Sequence, residues 1–304
     1  MVTHKPVPES AAHGQAYAAV VGHPISHSRS PELHTAAYGV LGAELVYRAV
    51  DLTESELPGH TEQLRGDPLW RGLSVTMPLK SQAASLCDDL TSLARVVGVV
   101  NTVIPAGQGR LMGHNTDVAG IIGAVRAAGA VPSKPRVAIL GGGGTATAAV
   151  VAAQGLGAGA VDVWVRSFTR AHRVVAAARA AGVALDLKPW EQAVQHLTTY
   201  DVVVATLPPH GCDELAAALK NIPENATTGV LLDVAYDPWP SAIAQAWTNV
   251  GGHVAAGLEM LIFQAVDQIA MFTGVDLSNN RSRRQAVVDA MCAAVGRASL
   301  PASP

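Results

Sequence analysis

Arg136-Val-Ala-Ile-Leu-Gly-Gly-Gly-Gly-Thr-Ala146 is the stretch on which the fold turns. Arg136–Leu140 reads as a short buried strand, and the glycines run directly into the apolar stretch Ala146–Ala153. A strand that passes through Gly141-x-Gly143-x-x-Ala146 into a helix is a dinucleotide-binding turn. The first glycine permits the bend, the second lets backbone approach a pyrophosphate, and the small third residue lets helix pack on strand. The helix start then offers unpaired N–H groups and a positive dipole end to the phosphates. Gly144 and Thr145 complete that cradle. About 140 residues precede the turn, enough for a whole additional domain. The substrate chemistry is therefore expected upstream.

Composition narrows the partners. A formal charge of -3 over 304 residues shows no basic excess, so no nucleic acid is expected. Charged residues make up 15% of the chain, against a usual ~25%. No apolar run reaches the ~18 residues that span a bilayer, so no membrane partner is expected. Met1–Gln15 carries His4, Lys5, His13 and two prolines but no apolar core, so it reads as a tail and not as a secretory signal. Cys87, Cys212 and Cys292 are odd in number, scattered and free of any CxxC spacing, which fits reduced thiols in the cytoplasm. Among the histidines only His23 and His27 have helix-like spacing, with Pro24 between them, so no metal is expected.

Strand and helix signals alternate along the chain, as in α/β layers. Upstream of the turn, Tyr17–Val21, Leu45–Val50, Leu73–Thr76 and Val99–Ile104 read as strands. Ser30 reads as the cap of a helix with Pro31 in its first turn, Gln82–Asp89 as a short helix, and Val118–Ala128 as a helix after Asn115–Asp117. Downstream, Ala160–Val165, Val202–Ala205, Val230–Val234 and Gly252–Ala255 are near-continuous apolar runs, as in a parallel sheet covered on both faces. Helices are expected at Thr169–Ala181, Leu258–Phe272 and Arg283–Ala294. The expectation is a two-domain α/β protein. Residues 1–116 form a substrate-binding catalytic domain to which the helices of 257–304 return, and 117–256 form a Rossmann-type domain.

The cofactor is readable after the second strand of that domain. An acid there would accept the ribose 2′-hydroxyl of NAD. The chain instead has Val165-Arg-Ser-Phe-Thr-Arg170. Arg166 and Arg170 stand four apart at a helix start, with Ser167 and Thr169 as further donors, so NADP and its 2′-phosphate are expected. A solvated basic face that includes Arg173 is the alternative.

Several stretches resemble the shikimate dehydrogenase family. They are Gly22-His-Pro-Ile-Ser-His-Ser-Arg-Ser-Pro31, Ser74-Val-Thr-Met-Pro-Leu-Lys80, Val99-Val-Asn-Thr102, Asn115-Thr-Asp117, Tyr236-Asp-Pro-Trp-Pro240 and Gly257-Leu-Glu-Met-Leu-Ile-Phe-Gln264. With the glycine turn they span residues 18 to 275 in the family's order. The resemblance implies NADP-dependent, reversible reduction of 3-dehydroshikimate to shikimate in aromatic amino-acid biosynthesis. It makes Lys80 the acid/base, paired with Asp117. Ser28 and Ser30 would hold the substrate carboxylate, though Ser30 is also explained as a helix cap. Thr76, Asn101 and Gln264 would meet ring hydroxyls, with backbone partners as the alternative. Tyr236 would lie near the carboxylate unless it packs on Trp239. Thr206 and Gly257 join the cofactor contacts. Four positions depart from the family: Ser74, His23, Val165 and Val204 stand where asparagine is usual. A quinate/shikimate dehydrogenase preferring NAD and a non-catalytic dinucleotide-binding sensor are the rival readings. A small-molecule substrate and a monomer or homodimer are expected.

Overall fold

The computed structural model describes residues 14–302. Most of the stretch read above as a tail lies outside them. The chain divides into two units. One holds the described residues up to Arg95, Val99–Thr116 and Ala265–Ala302, and the other holds Val96–Gly98 and Asp117–Gln264.

The first unit is built on a mixed sheet of β1 (Tyr17–Gly22), β2 (Val46–Asp51), β3 (Trp70–Val75), β4 (Asp89–Leu90), β5 (Thr102–Pro105) and β6 (Leu111–His114), in the order β2-β1-β3-β5-β6-β4. β1 runs parallel to both β2 and β3, whereas β5 is antiparallel to β3 and to β6. Every residue of β1 is buried, as its unbroken apolar run demands of a central strand. Gly72 in β3 has a packing reason to be glycine, since a Cβ there would lie 2.2 Å from the Phe272 ring.

The second unit holds six parallel strands: β7 (Val137–Leu140), β8 (Ala160–Val165), β9 (Ala184–Pro189), β10 (Val202–Ala205), β11 (Val230–Asp233) and β12 (His253–Ala256). Their order is β12-β11-β10-β7-β8-β9. Read from β9, this is the doubly wound dinucleotide-binding order, with the direction of winding reversing between β7 and β10. Helix Gly144–Gly155 follows β7 and buries every residue from Ala146 to Ala153. Alanine and valine allow this, because the helix is flanked by helices Asp117–Ala128 and His172–Ala181 as well as by the sheet.

Several local expectations are corrected. Ser30 is not the cap of its helix: Ser30–Leu41 is helical from Ser30 onward, Arg29 holds the cap position, and Ser28 Oγ accepts from Ser30 N at 3.4 Å. The helix expected at Gln82–Asp89 spans Lys80–Leu86, and the strand expected from Val99 begins at Thr102. Thr169–Ala181 is not a single helix. A 3-10 turn at Phe168–Ala171 precedes helix His172–Ala181.

Burial of polar rings sets one pH dependence. His34 on helix Ser30–Leu41 is fully buried, stacks on Tyr47 at 3.8 Å between ring centroids and meets the Tyr38 hydroxyl at 3.1 Å. Burial pushes its pKa down to about 3, against a smaller upward pull from the Gln268 side chain. The folded ring is neutral at pH values where an unfolded histidine takes a proton. The unfolded chain is therefore favoured as pH falls from 6.5 toward about 3. In that window one such group costs at most ~1.4 kcal/mol per pH unit. His34→Gln should flatten the acid limb of stability by roughly that slope, read from urea melts between about pH 4 and 7. An unchanged slope would show that His34 does not titrate there.

Candidate active site

In the first unit the candidate substrate residues sit on loops and at helix starts whose backbones are tied to one another at strand ends. Thr76 N donates to Val21 O at 2.9 Å, and His23 N donates to Met77 O at 3.1 Å. These bonds join the loop after β1, which carries Ser28, to the loop after β3, which carries Thr76. Gly22 lies so close that a Cβ would fall 2.4 Å from Thr76 Cγ2. Two further bonds bring in the segment before β5: Val75 N donates to Asn101 O at 2.7 Å, and Val100 N donates to Lys80 O at 3.1 Å. Thr76, Lys80 and Asn101 are thereby brought together on connected backbone.

Their exposures differ in a useful way. Thr76, Lys80 and Ser28 are half-buried, open enough to meet a ligand. Asn101 is 1% exposed and Ser30 5%. The Asn101 amide is committed through both of its polar atoms: Nδ2 donates to Thr116 Oγ1 at 2.9 Å, and Oδ1 accepts from Thr116 N at 2.8 Å and from Thr102 Oγ1 at 2.9 Å. The Ser30 side chain hydrogen-bonds the Tyr47 hydroxyl. Asp117, next along the chain from Thr116, is a buried carboxylate in the first turn of helix Asp117–Ala128, where the dipole favours negative charge. Asp117, Tyr236 and Gln264 belong to the second unit. Gln264 is 8% exposed on helix Gly257–Thr273, and Tyr236 is half-buried just past β11.

The glycine turn of the second unit behaves as its spacing asks. Gly141 has φ +110°, a conformation that side chains avoid, and a Cβ there would lie 2.7 Å from Thr206 Oγ1. Thr206, past the end of β10, donates both N and Oγ1 to Leu140 O, at 2.9 and 2.8 Å. Thr206 and Gly141 therefore meet across the switch point. Gly143 is different: a Cβ there would have nothing within 4 Å. It stands exposed at the cap position of helix Gly144–Gly155, with Gly144 and Thr145 beside it and Ala146 buried behind. An open glycine at a helix start on a switch point fits a pyrophosphate group. Gly257 is buried, and a Cβ would lie 2.2 Å from Val234 O, so backbone packing alone already requires glycine there.

The basic pair is arranged otherwise than helical spacing suggests. Arg166 follows the end of β8 at a bend and Ser167 is extended (φ -146°, ψ 112°) before the 3-10 turn that holds Arg170, so Arg166 and Arg170 do not share one helix face. Arg166 Nη2 donates to Gly211 O at 2.9 Å, and its guanidinium lies 4.7 Å over the Trp190 ring. Arg166 and Arg170 are exposed, and the Ser167 and Thr169 hydroxyls are 3.0 Å apart. The guanidinium platform of Trp190 was not legible from local spacing, because the ring arrives from 24 residues downstream. Sequence reasoning also passed over Thr102, Thr116 and Gln268, buried polar residues that hydrogen-bond Asn101, and Tyr47, which is buried and bonds Ser74. Gln268 alone had a signal, one helical turn after Gln264 in an apolar segment.

Comparison with known proteins agrees with this geometry. The family profile described as "Shikimate dehydrogenase substrate binding domain" matches residues 20–103. A curated shikimate dehydrogenase (NADP(+)) from Rubrobacter xylanophilus is 35% identical over 272 residues, 87% of this chain and 93% of the relative. The chain belongs to the shikimate dehydrogenase family. It is also 30% identical to the pentafunctional AROM polypeptide of Komagataella phaffii over 92% of this chain, and spans 19% of that longer polypeptide. Among solved structures, the Mycobacterium tuberculosis shikimate dehydrogenase matches with a TM-score of 0.79 at 36% identity, covering 91% of this chain and 99% of that one. The Thermus thermophilus enzyme, solved in complex with NADP(H) and shikimate, matches with a TM-score of 0.73 at 30% identity, covering 92% and 99%. The two-domain α/β architecture with a Rossmann-type dinucleotide-binding domain is that of these relatives.

The two turn glycines of such a domain should respond differently to a methyl group. Gly141→Ala forces a side chain into a left-handed backbone against Thr206, and should cost about 1–3 kcal/mol of stability without any cofactor present. Gly143→Ala meets open space, so its melting temperature should stay near wild type while NADP binding weakens. Thermal melts and a cofactor titration of both variants check this. A Gly143→Ala protein with unchanged NADP affinity would remove Gly143 from the cofactor site.

Proposed function

We propose that this chain catalyses the reversible, NADP-dependent reduction of 3-dehydroshikimate to shikimate, a step of aromatic amino-acid biosynthesis. The observation that carries the reading is the gathering of Thr76, Lys80 and Asn101 on connected backbone in a unit that has no nucleotide-binding turn of its own among its described residues. Residues 1–116 with 257–304 hold the substrate in this reading, and 117–256 hold the cofactor.

The bound nicotinamide supplies the hydride that converts the ketone to an alcohol. The chain supplies the proton and the orientation. Lys80, as an ammonium, donates a proton to the oxygen of the reacting carbonyl and takes it back in the reverse direction. Asp117 accepts a hydrogen bond from a substrate hydroxyl and acts as the charge partner of Lys80. Ser28 and Ser30 hold the ring carboxylate, Ser28 being the more open of the two. Thr76, Asn101, Gln264 and Tyr236 contact the remaining polar edge of the ring. Gly141, Gly143, Gly144, Thr145, Ala146, Thr206 and Gly257 line the cofactor path, and Arg166, Ser167 and Arg170 receive its 2′-phosphate. The protein acts in the cytoplasm as a monomer or homodimer on a small molecule, with no nucleic-acid or membrane partner. No helix among the described residues is long and apolar enough to cross a membrane.

Lys80→Ala should lower kcat by ~10²–10⁴-fold, the usual loss of a general acid/base, with a smaller rise in KM for shikimate. Retention of near-normal kcat would remove Lys80 from the chemistry. For the cofactor, kcat/KM with NADP should exceed that with NAD. Arg166→Ala combined with Arg170→Ala should erase most of the preference while leaving NAD nearly unaffected. Assays with shikimate and with quinate, each against NADP and NAD, decide between this reading and its rivals. A wild-type preference for NAD with quinate would promote the quinate/shikimate dehydrogenase alternative. Turnover with neither substrate would promote the sensor.

A further inference from the structure

A chain of buried side-chain hydrogen bonds runs through the first unit to Asn101. Tyr47 Oη donates to Ser74 Oγ at 2.6 Å, and Ser74 Oγ donates to Gln268 Oε1 at 2.8 Å. Gln268 Nε2 donates to Thr102 Oγ1 at 2.9 Å, and Thr102 Oγ1 donates to Asn101 Oδ1 at 2.9 Å. Ser74 and Thr102 are cross-strand partners on β3 and β5, and Gln268 spans them from helix Gly257–Thr273. All six side chains that make or anchor this chain, Thr116 included, are at most 6% exposed.

The direction of the chain follows from its ends. A main-chain carbonyl can only accept, so the Gln268 atom that faces Asn101 O at 3.4 Å is Nε2. Its Oε1 then faces Ser74, whose hydroxyl has to donate, which leaves the Ser74 oxygen to accept from Tyr47. At the other end the Thr102 oxygen receives the Gln268 N–H and turns its own proton onto Asn101 Oδ1. Thr116 N reaches the same Oδ1 at 2.8 Å. A carbonyl oxygen has two lone pairs, and here both are filled. Whatever the Asn101 side chain offers outside this network, it offers from Nδ2, as a donor.

We propose that Gln268 and Thr102 are positioning residues that lock the Asn101 amide oxygen-inward. The site then presents a hydrogen-bond donor, never an acceptor, to the substrate hydroxyl that Asn101 meets. The inference rests on the reading of Asn101 as a substrate residue. Its consequence is specificity. The substituent at that ring position must bring a lone pair, so a hydroxyl is accepted and a bare hydrogen is penalised. Without Gln268 the Thr102 hydroxyl can turn, and Asn101 Oδ1 loses the fixed direction of one of the two donors that fill it.

The test compares kcat/KM for shikimate with kcat/KM for analogues that each lack one ring hydroxyl, at saturating NADP. Wild type, Asn101→Ala, Gln268→Leu, Thr102→Val and Thr102→Ser are measured together. Asn101→Ala should abolish the penalty for one analogue, which identifies the hydroxyl concerned. For that analogue alone, Gln268→Leu and Thr102→Val should each shrink the shikimate-to-analogue ratio by about three- to tenfold. Thr102→Ser keeps the hydroxyl and should keep the ratio. In the Asn101→Ala background Gln268→Leu should add little, as expected of residues acting through one another. KM for NADP should not move. If Gln268→Leu does not fold, the near-isosteric Thr102→Val carries the same test. An unchanged ratio in the folded variants overturns the proposal, whatever happens to their melting temperatures. An equal fall for every analogue also overturns it, because that is loosening and not polarity, and so does an Asn101→Ala protein with every ratio intact. Failure of wild type to turn over shikimate would instead overturn the functional reading, before any variant is made.

Discussion

The backbone of the first unit has to satisfy its own hydrogen bonds before it can present any side chain to a ligand. A strand end that leaves the sheet exposes N–H and C=O groups that must find partners. Here they find one another across neighbouring loops: Thr76 with Val21, His23 with Met77, Val75 with Asn101, and Val100 with Lys80. The segments that carry Ser28, Thr76, Lys80 and Asn101 are thus held in mutual register by bonds that involve none of their side chains. This separates two tasks. Backbone pairing fixes where the loops are, and the side chains remain available to contact a ligand or to be held by further partners.

The second unit meets its requirement by the opposite means. A phosphate is gripped by main-chain N–H groups, so residues near it have to be small enough to let backbone approach. Gly141 turns the chain in a conformation closed to other residues, while Gly143 faces open space. Ala146–Ala153 then lets helix Gly144–Gly155 sit buried on all sides against the sheet and two other helices. Thr206 completes the arrangement from the far side of the switch point, through its bonds to Leu140 O.

How much of this was legible depended on what kind of signal each feature leaves. The glycine turn and strands β7, β8, β10 and β11 were legible because burial on both faces writes a continuous apolar run. β4, β6 and β9 were not. β4 has two residues, β6 carries Gly113 among Leu90, Val100 and Cys87, and β9 is a charged, partly exposed edge strand. Ser30 was misplaced by one position because a capping serine and a serine in the first turn beside Pro31 look alike in sequence. The basic pair at Arg166 and Arg170 was legible as composition but not as geometry, since nothing local announces that Ser167 is extended and that a 3-10 turn, not the helix itself, holds Arg170. Lys80, Asp117 and the other candidate substrate residues were legible mainly through resemblance. Isolated polar residues carry no periodicity, and their chemistry appears only when distant loops are brought together.

Gln268 shows why the polar interior deserves a functional account and not only a structural one. Burying a glutamine, a serine, a threonine and a tyrosine hydroxyl costs desolvation that an apolar core of equal volume would avoid. A network with every member paired recovers much of that cost, but it is seldom better for stability than well-packed hydrocarbon. What hydrocarbon cannot do is transmit polarity. A hydroxyl that has to donate at one side accepts at the other, so the carbonyl of Asn101 at one end constrains the hydroxyl of Tyr47 at the other. The second unit needs no such chain, because a main-chain N–H has a fixed direction. In the proposed function the first unit builds its site from side-chain amides and hydroxyls, whose direction is free until neighbours decide it. A buried network there supplies the direction that the backbone supplies for nothing around the glycine turn.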